Sequence, residues 1–91
     1  MNIEAEIKQR LDSLAPLYFE LHNDSHLHTG HAGNTGGGHY RLLVVSEAFS
    51  KQSRLARQRL VKDKLHDLFP HRIHALSIKA SSPEEYFHHS T

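Results

Sequence analysis

Apolar residues recur along this chain with two periods, and each change of period marks a new element. Ile3, Ile7, Leu11 and Leu14 fall at helical spacing, with Glu4, Lys8, Gln9 and Arg10 between them. Glu4 and Glu6 lie early and Lys8 and Arg10 late, as the helix dipole favours. Pro16 predicts the stop. Leu17, Phe19 and Leu21 then alternate with Tyr18, Glu20 and His22, the period of a half-buried strand. "YRLLVVS", Tyr40 to Ser46, reads as a continuous apolar run and predicts a strand covered on both faces. "FSKQSRLARQRLVKDKLHDLFP" reads as helix ended by Pro70, with Val61, Leu65, Leu68 and Phe69 as its apolar stripe. Leu55 and Ala56 fit that stripe less smoothly, which favours a short first helix and a turn before Arg57. "IHALSIK", Ile73 to Lys79, alternates again as a third strand. "SPEEYF" carries a capping box, Ser82 with Glu85, and Pro83 at the first helical position, so a short helix closes the chain.

The order is α-β-β-α-β-α, or α-β-β-α-α-β-α with the long helical stretch divided. Strands one and two, joined by a loop, are expected antiparallel. Strands two and three, joined through helix, are expected parallel with a right-handed crossover. The expected class is α+β: a three-stranded mixed sheet with helices on one face.

Composition narrows what such a domain can do. The 91 residues suit one domain, and 37% hydrophobic residues suffice for a modest core. No apolar run reaches membrane-span length and no signal peptide opens the chain, so no membrane role and a cytoplasmic location are expected. There are no cysteines. Thiolate zinc sites, a nucleophilic cysteine and a self-contained thiolate iron–sulfur site are thereby excluded, and imidazole is the borderline ligand present in quantity. Net charge is only +1, yet Lys51, Arg54, Arg57, Arg59, Lys62 and Lys64 crowd one stretch opposed by Asp63 alone.

The segment "HNDSHLHTGHAGNTGGGHY", His22 to Tyr40, holds five of the ten histidines and all five glycines. It predicts a flexible loop over residues 23–38 between the first two strands. His26, His28 and His31 stand at His-x-His and His-x-x-His spacing, which can chelate zinc or nickel; a solvated polar loop is the competing reading. The Gly36-Gly37-Gly38 run is no Walker loop, because no Lys-Ser/Thr follows it. Ser46 with Glu47, and Ser25 with Asp24, show no triad logic, and no enzymatic turnover is expected.

Taken together, "NDSHLHTGHAG…GGHYRLLVVSEAF", the helix with "RQRLV", "IHALSIKA" and "SPEEY" resemble the BolA family from the first helix to Tyr86. The resemblance implies one class II KH-like domain over residues 1–91, with residues 88–91 as a short tail. It implies a heterodimer with a monothiol glutaredoxin, sharing a glutathione-supported [2Fe–2S] cluster in iron–sulfur trafficking or iron regulation. It also implies, for some bacterial members, transcriptional regulation tied to morphology and stress. The histidine before "AL" is the family's cluster ligand, here His74. The second ligand comes from the loop, where "NDSHLH" points first to His28 and then to His31. Two departures stand out: the family's Arg-His-Arg is Arg57-Gln58-Arg59, and its terminal Trp is Tyr86 or Phe87.

The residues themselves leave alternatives open. His74, read by alternation, shares a face with Leu76 and Ile78, so a satisfied core histidine competes with a ligand. His39 reads as structural at the start of the second strand. A two-imidazole donor set could serve one iron only, leaving the other to a partner's thiolates. The basic stretch is either a solvated helix face or a binding surface made of Lys51, Arg54, Arg57, Gln58, Arg59 and Lys62, for DNA phosphates and bases or for an acidic partner. The KH-type Gly-x-x-Gly clamp is missing from "FSKQSRLA". Without its partner the chain is expected to be a monomer or a weak homodimer.

Overall fold

A computed structural model of the chain describes residues 2–24 and 38–88. His26, His28 and His31, most of the 23–38 loop and the end of the 88–91 tail lie outside the described residues. Helix α1 spans Ile3–Arg10 and starts at Asn2, whose side chain accepts the Ala5 N–H at 2.8 Å. A 3-10 turn, Asp12–Leu14, follows, and Ala15 turns left-handed (φ 48°) just before Pro16, where the helix was expected to stop. Strand β1 (Tyr18–Asn23) pairs antiparallel with β2 (Gly38–Val45), and β2 pairs parallel with β3 (Ile73–Ser81). The sheet order is β1-β2-β3. The mixed three-stranded sheet agrees with the pattern expected from the sequence, although β2 begins two residues earlier, at Gly38.

The core lies between the helices and one face of the sheet. Ile7 and Leu11 at the end of α1, Val61 and Leu65 of α2 (Arg54–Leu65), Tyr40, Leu42 and Val44 of β2, and Ile73 of β3 form one buried cluster. The other face of β2 is not fully covered, contrary to the expected two-sided burial. Arg41 is exposed there and Leu43 half-buried, while Val45 alone is fully buried. The apolar run therefore reflects β2's central place in the sheet more than cover by two layers.

The basic stretch divides earlier than its pattern predicted. Ser46 opens a 3-10 turn, Glu47–Phe49, and Lys51 turns left-handed (φ 64°). Ser53 then caps α2, its hydroxyl accepting the Ala56 N–H at 3.0 Å. The break thus falls before Arg54 rather than before Arg57. Leu55 is 58% exposed, which is why it fits no stripe. Ser46 itself is fully buried. Its hydroxyl donates to the Leu14 carbonyl and accepts from Ala48 N–H, while its N–H donates to the Ser81 carbonyl. It is a structural hub, which explains why no catalytic logic attaches to it.

Helix α3 (Pro83–His88) begins with the expected capping box: Ser82 N–H donates to Glu85 Oε1 at 2.9 Å and Glu85 N–H to Ser82 Oγ at 3.2 Å. Glu85 is also the bidentate partner of Arg57, at 2.6 and 3.1 Å. Tyr86 stacks on Tyr18, centroids 5.5 Å apart, so an aromatic does cover the end of β1. The Arg57 guanidinium, then the Ser82 N–H, lower the Glu85 carboxyl from 4.5 to about 2. A carboxyl depressed in the folded state stabilises at pH above its ordinary value and loses that contribution as pH falls through the folded one. Acid titration is thus expected to loosen α3 from α2 between about pH 4.5 and 2, followed by NMR shifts of Tyr86. Glu85→Gln should show that loosened state already at neutral pH; identical Tyr86 shifts in both proteins would refute the clamp.

Candidate functional site

The site begins with one residue too many. Gly38 pairs with Ile73, but the next residue of β2, His39, pairs with Ala75. His74 therefore has no partner across the ladder, the signature of a β-bulge. Carbonyl directions agree. Arg72 accepts from Gly38 N–H before the skip, and Ser81 accepts from Ser46 N–H after it. Residues facing β2 change from even to odd numbers, as one inserted residue requires.

The bulge changes which face His74 occupies. Ile73 is fully buried on the helix side, and Leu76, Ile78 and Ala80 pack against the same core. Strict alternation would put residue 74 with Leu76 and Ile78, as the sequence reading had it. The structure corrects that placement: His74 is exposed, and its ring stands 5.1 Å from that of His39, tilted by 43°. His39 and Tyr40 are successive residues of β2, so His39 lies on the open face when Tyr40 faces the core.

The β2 backbone holds His39 on both sides. Its carbonyl accepts the Asp24 N–H at 2.7 Å, and Ala75 is its partner on β3. Gly38, just before it, admits no side chain: a Cβ there would lie 2.1–2.2 Å from the Tyr40 ring. The last glycine of the glycine run is thus fixed by close approach. A shallow groove of about 350 Å³ adjoins the pair, lined by Asp24, His39, Tyr40, Arg41, Ala75, Leu76 and Ser77. Arg41 donates from Nε and Nη2 to the two Asp24 oxygens, and this bond raises the guanidinium's pKa further. On β1, Glu20 accepts from both Tyr18 and His22; the Tyr18 hydroxyl, first, lowers its carboxyl pKa. Among the described residues, no group of three or more His, Cys, Asp or Glu gathers to hold a metal. The described residues thus bring together a pair of imidazoles, half the protein donors that two irons require.

The six residues of the basic surface separate into two sets. Lys51, Arg54, Arg59 and Lys62 are exposed. Arg57 and Gln58 are engaged inside the fold. Arg57, its side chain 14% exposed, holds Glu85 and donates to the Ala80 and Gln52 carbonyls at 3.0 Å. Gln58 Nε2 donates to the Ile78 carbonyl at 2.9 Å. Residues 78 and 80 point away from β2, so both side chains satisfy the outer edge of β3 and protect it from unwanted pairing. Between β2 and α2 the chain forms only the three-residue turn Glu47–Phe49, so no full helix directly precedes α2 to make a helix-turn-helix pair for DNA. Arg54, Arg57, Gln58, Lys79 and Tyr86 contribute to a groove of about 700 Å³ beside this edge. No helix among the described residues is long and apolar enough to cross a membrane.

The model of the family described as BolA-like protein matches residues 11–85. SufE-like protein 1 of Arabidopsis thaliana is 37% identical over 91 residues, covering 93% of this chain and 24% of that longer protein. The solved BolA domain of SufE1 from the same plant superposes with a TM-score of 0.78 at 37% identity, covering 93% of this chain and 98% of the domain. BolA-like protein 1 of Mus musculus is 38% identical over 85 residues, 92% of this chain and 61% of that protein. A Haemophilus influenzae protein named DNA-binding transcriptional regulator BolA is 29% identical over 87 residues, 94% of this chain and 82% of its own. With a family model spanning both the α1–β1 connection and the capping box of α3, and a bulged histidine inside the matched region, this chain belongs to the BolA-like family.

Proposed function

We propose that this protein is a non-enzymatic adaptor that pairs with a monothiol glutaredoxin and shares with it a glutathione-supported [2Fe–2S] cluster, the cargo of iron–sulfur trafficking or iron regulation. One observation carries the reading: the bulge in β3 presents the His74 imidazole on the open sheet face, in a chain with no cysteine. Such a chain can contribute nitrogen donors to one iron while thiolates must come from elsewhere. His74 supplies one nitrogen and a second histidine the other. The exposed Lys79 lies on the same face and suits a carboxylate of glutathione.

The test is to mix the protein with glutathione-loaded, cluster-bearing glutaredoxin. Visible absorption, circular dichroism and gel filtration are recorded. A 1:1 complex with a changed cluster spectrum is expected; an unchanged spectrum with separate elution would overturn the proposal. A second reading, DNA-binding regulation through α2, draws on four exposed cations, Lys51, Arg54, Arg59 and Lys62. The name of the Haemophilus relative also favours it. It ranks second because Arg57 and Gln58, the residues that would carry a phosphate and a base contact, are occupied within the fold.

A further inference from the structure

We infer that His39 is the second nitrogen donor beside His74, so that the sheet alone forms a two-imidazole site for a transition-metal centre. The inference deepens the adaptor reading and rests on it for the identity of that centre. Metal–imidazole bonds of about 2.0–2.1 Å hold a ring centroid about 3.2 Å from the ion, so two rings at a tetrahedral angle stand about 5.2 Å apart. The His39 and His74 centroids are 5.1 Å apart. Both imidazoles therefore already stand at the spacing of ligands on one ion.

The scaffold that sets this spacing is the β2–β3 ladder, on either side of which His39 and Ala75 are register partners. Strand-borne ligands of this kind bind without ordering a backbone segment. Among the described residues the donor set stops at two. Asp24, the nearest carboxylate of the groove, is held by Arg41, and that ion pair leaves the rim close to neutral. His74 is exposed on this open face, where a partner's thiolates can approach an ion held there.

Copper(II), which heads the divalent affinity order, is the probe. The background is the protein with His26, His28 and His31 all changed to alanine, which removes the loop chelate. This variant is expected to keep copper affinity within about threefold of the parent, with NMR broadening centred on residues 39 and 74. Adding His39→Ala, or His39→Asn to preserve polarity at the strand start, should lower affinity at least tenfold and disperse the broadening. If the loop variant instead loses tenfold while His39→Asn changes nothing, the inference is overturned. The shared cluster separates this outcome from the adaptor reading. A glutaredoxin complex whose spectrum is unaltered by His39→Asn sinks His39 as donor and leaves the adaptor standing. Copper held by residues 39 and 74, with no glutaredoxin complex, does the reverse.

Discussion

Phe49→Ala is expected to lower the unfolding free energy by about 3–5 kcal/mol, the range for emptying a buried phenylalanine site. A domain of this size holds only about 5–15 kcal/mol in all, so the variant should be close to unfolded at body temperature. Phe49 is the largest of the fully buried side chains, and it does not lie on a long helix or a strand. It closes a three-residue turn whose cap, Ser46, ties the ends of β2 and β3 to the Leu14 carbonyl. That anchoring prevents the turn from collapsing into the void, which places the loss in the upper part of the range. Urea denaturation followed by far-UV circular dichroism measures it. A loss below about 1 kcal/mol would mean that the turn relaxes and that Phe49 is no keystone.

Short-range signals in the sequence translated directly into structure. The capping box of α3 was legible because Ser82 and Glu85 satisfy each other within three residues. The three strands and their pairing sense followed from period and connection, whereas α1 ends at Arg10, short of the stop expected at Pro16, and a 3-10 turn carries Leu14 into the core. What alternation could not reveal was the bulge. Ile73 is buried and Leu76 partly buried against the same core although they are three residues apart in a strand, and a period of two misplaces everything before the skip. In hindsight that apolar spacing was the signal, with His39 opposite Tyr40 in parity as the second half of the clue. The family resemblance, rather than any property of the residue, singled out His74. Arg57 and Gln58 read as surface residues because their partners on β3 and α3 lie 20 to 28 residues away, beyond the reach of local pattern. The early break before Arg54 was written in Ser53, a capping residue lost among the cations around it.

His74→Ala is expected to abolish the change that this protein makes in the cluster spectrum of glutaredoxin, with the fold intact. Its side chain is exposed on a bulge and contributes nothing to the buried cluster, so stability should move by no more than about 0.5 kcal/mol. The neighbouring Ile73, fully buried, is the contrast: alanine there should cost about 2–5 kcal/mol, so folding and liganding separate at adjacent positions. Losing an outer-sphere support typically weakens a metal site about 10–100-fold, and losing a ligand itself should exceed that, leaving the spectrum of glutaredoxin alone. His74→Cys supplies the decisive arm. A thiolate at the same bulge returns a donor but adds negative charge, so a complex should re-form with a different spectrum and a lower potential. A merely structural histidine would not yield that pattern. A His74→Ala protein that melts normally and still perturbs the cluster as the parent does would remove this residue from the site, and with it the reason to read the open sheet face as a metal-lending surface.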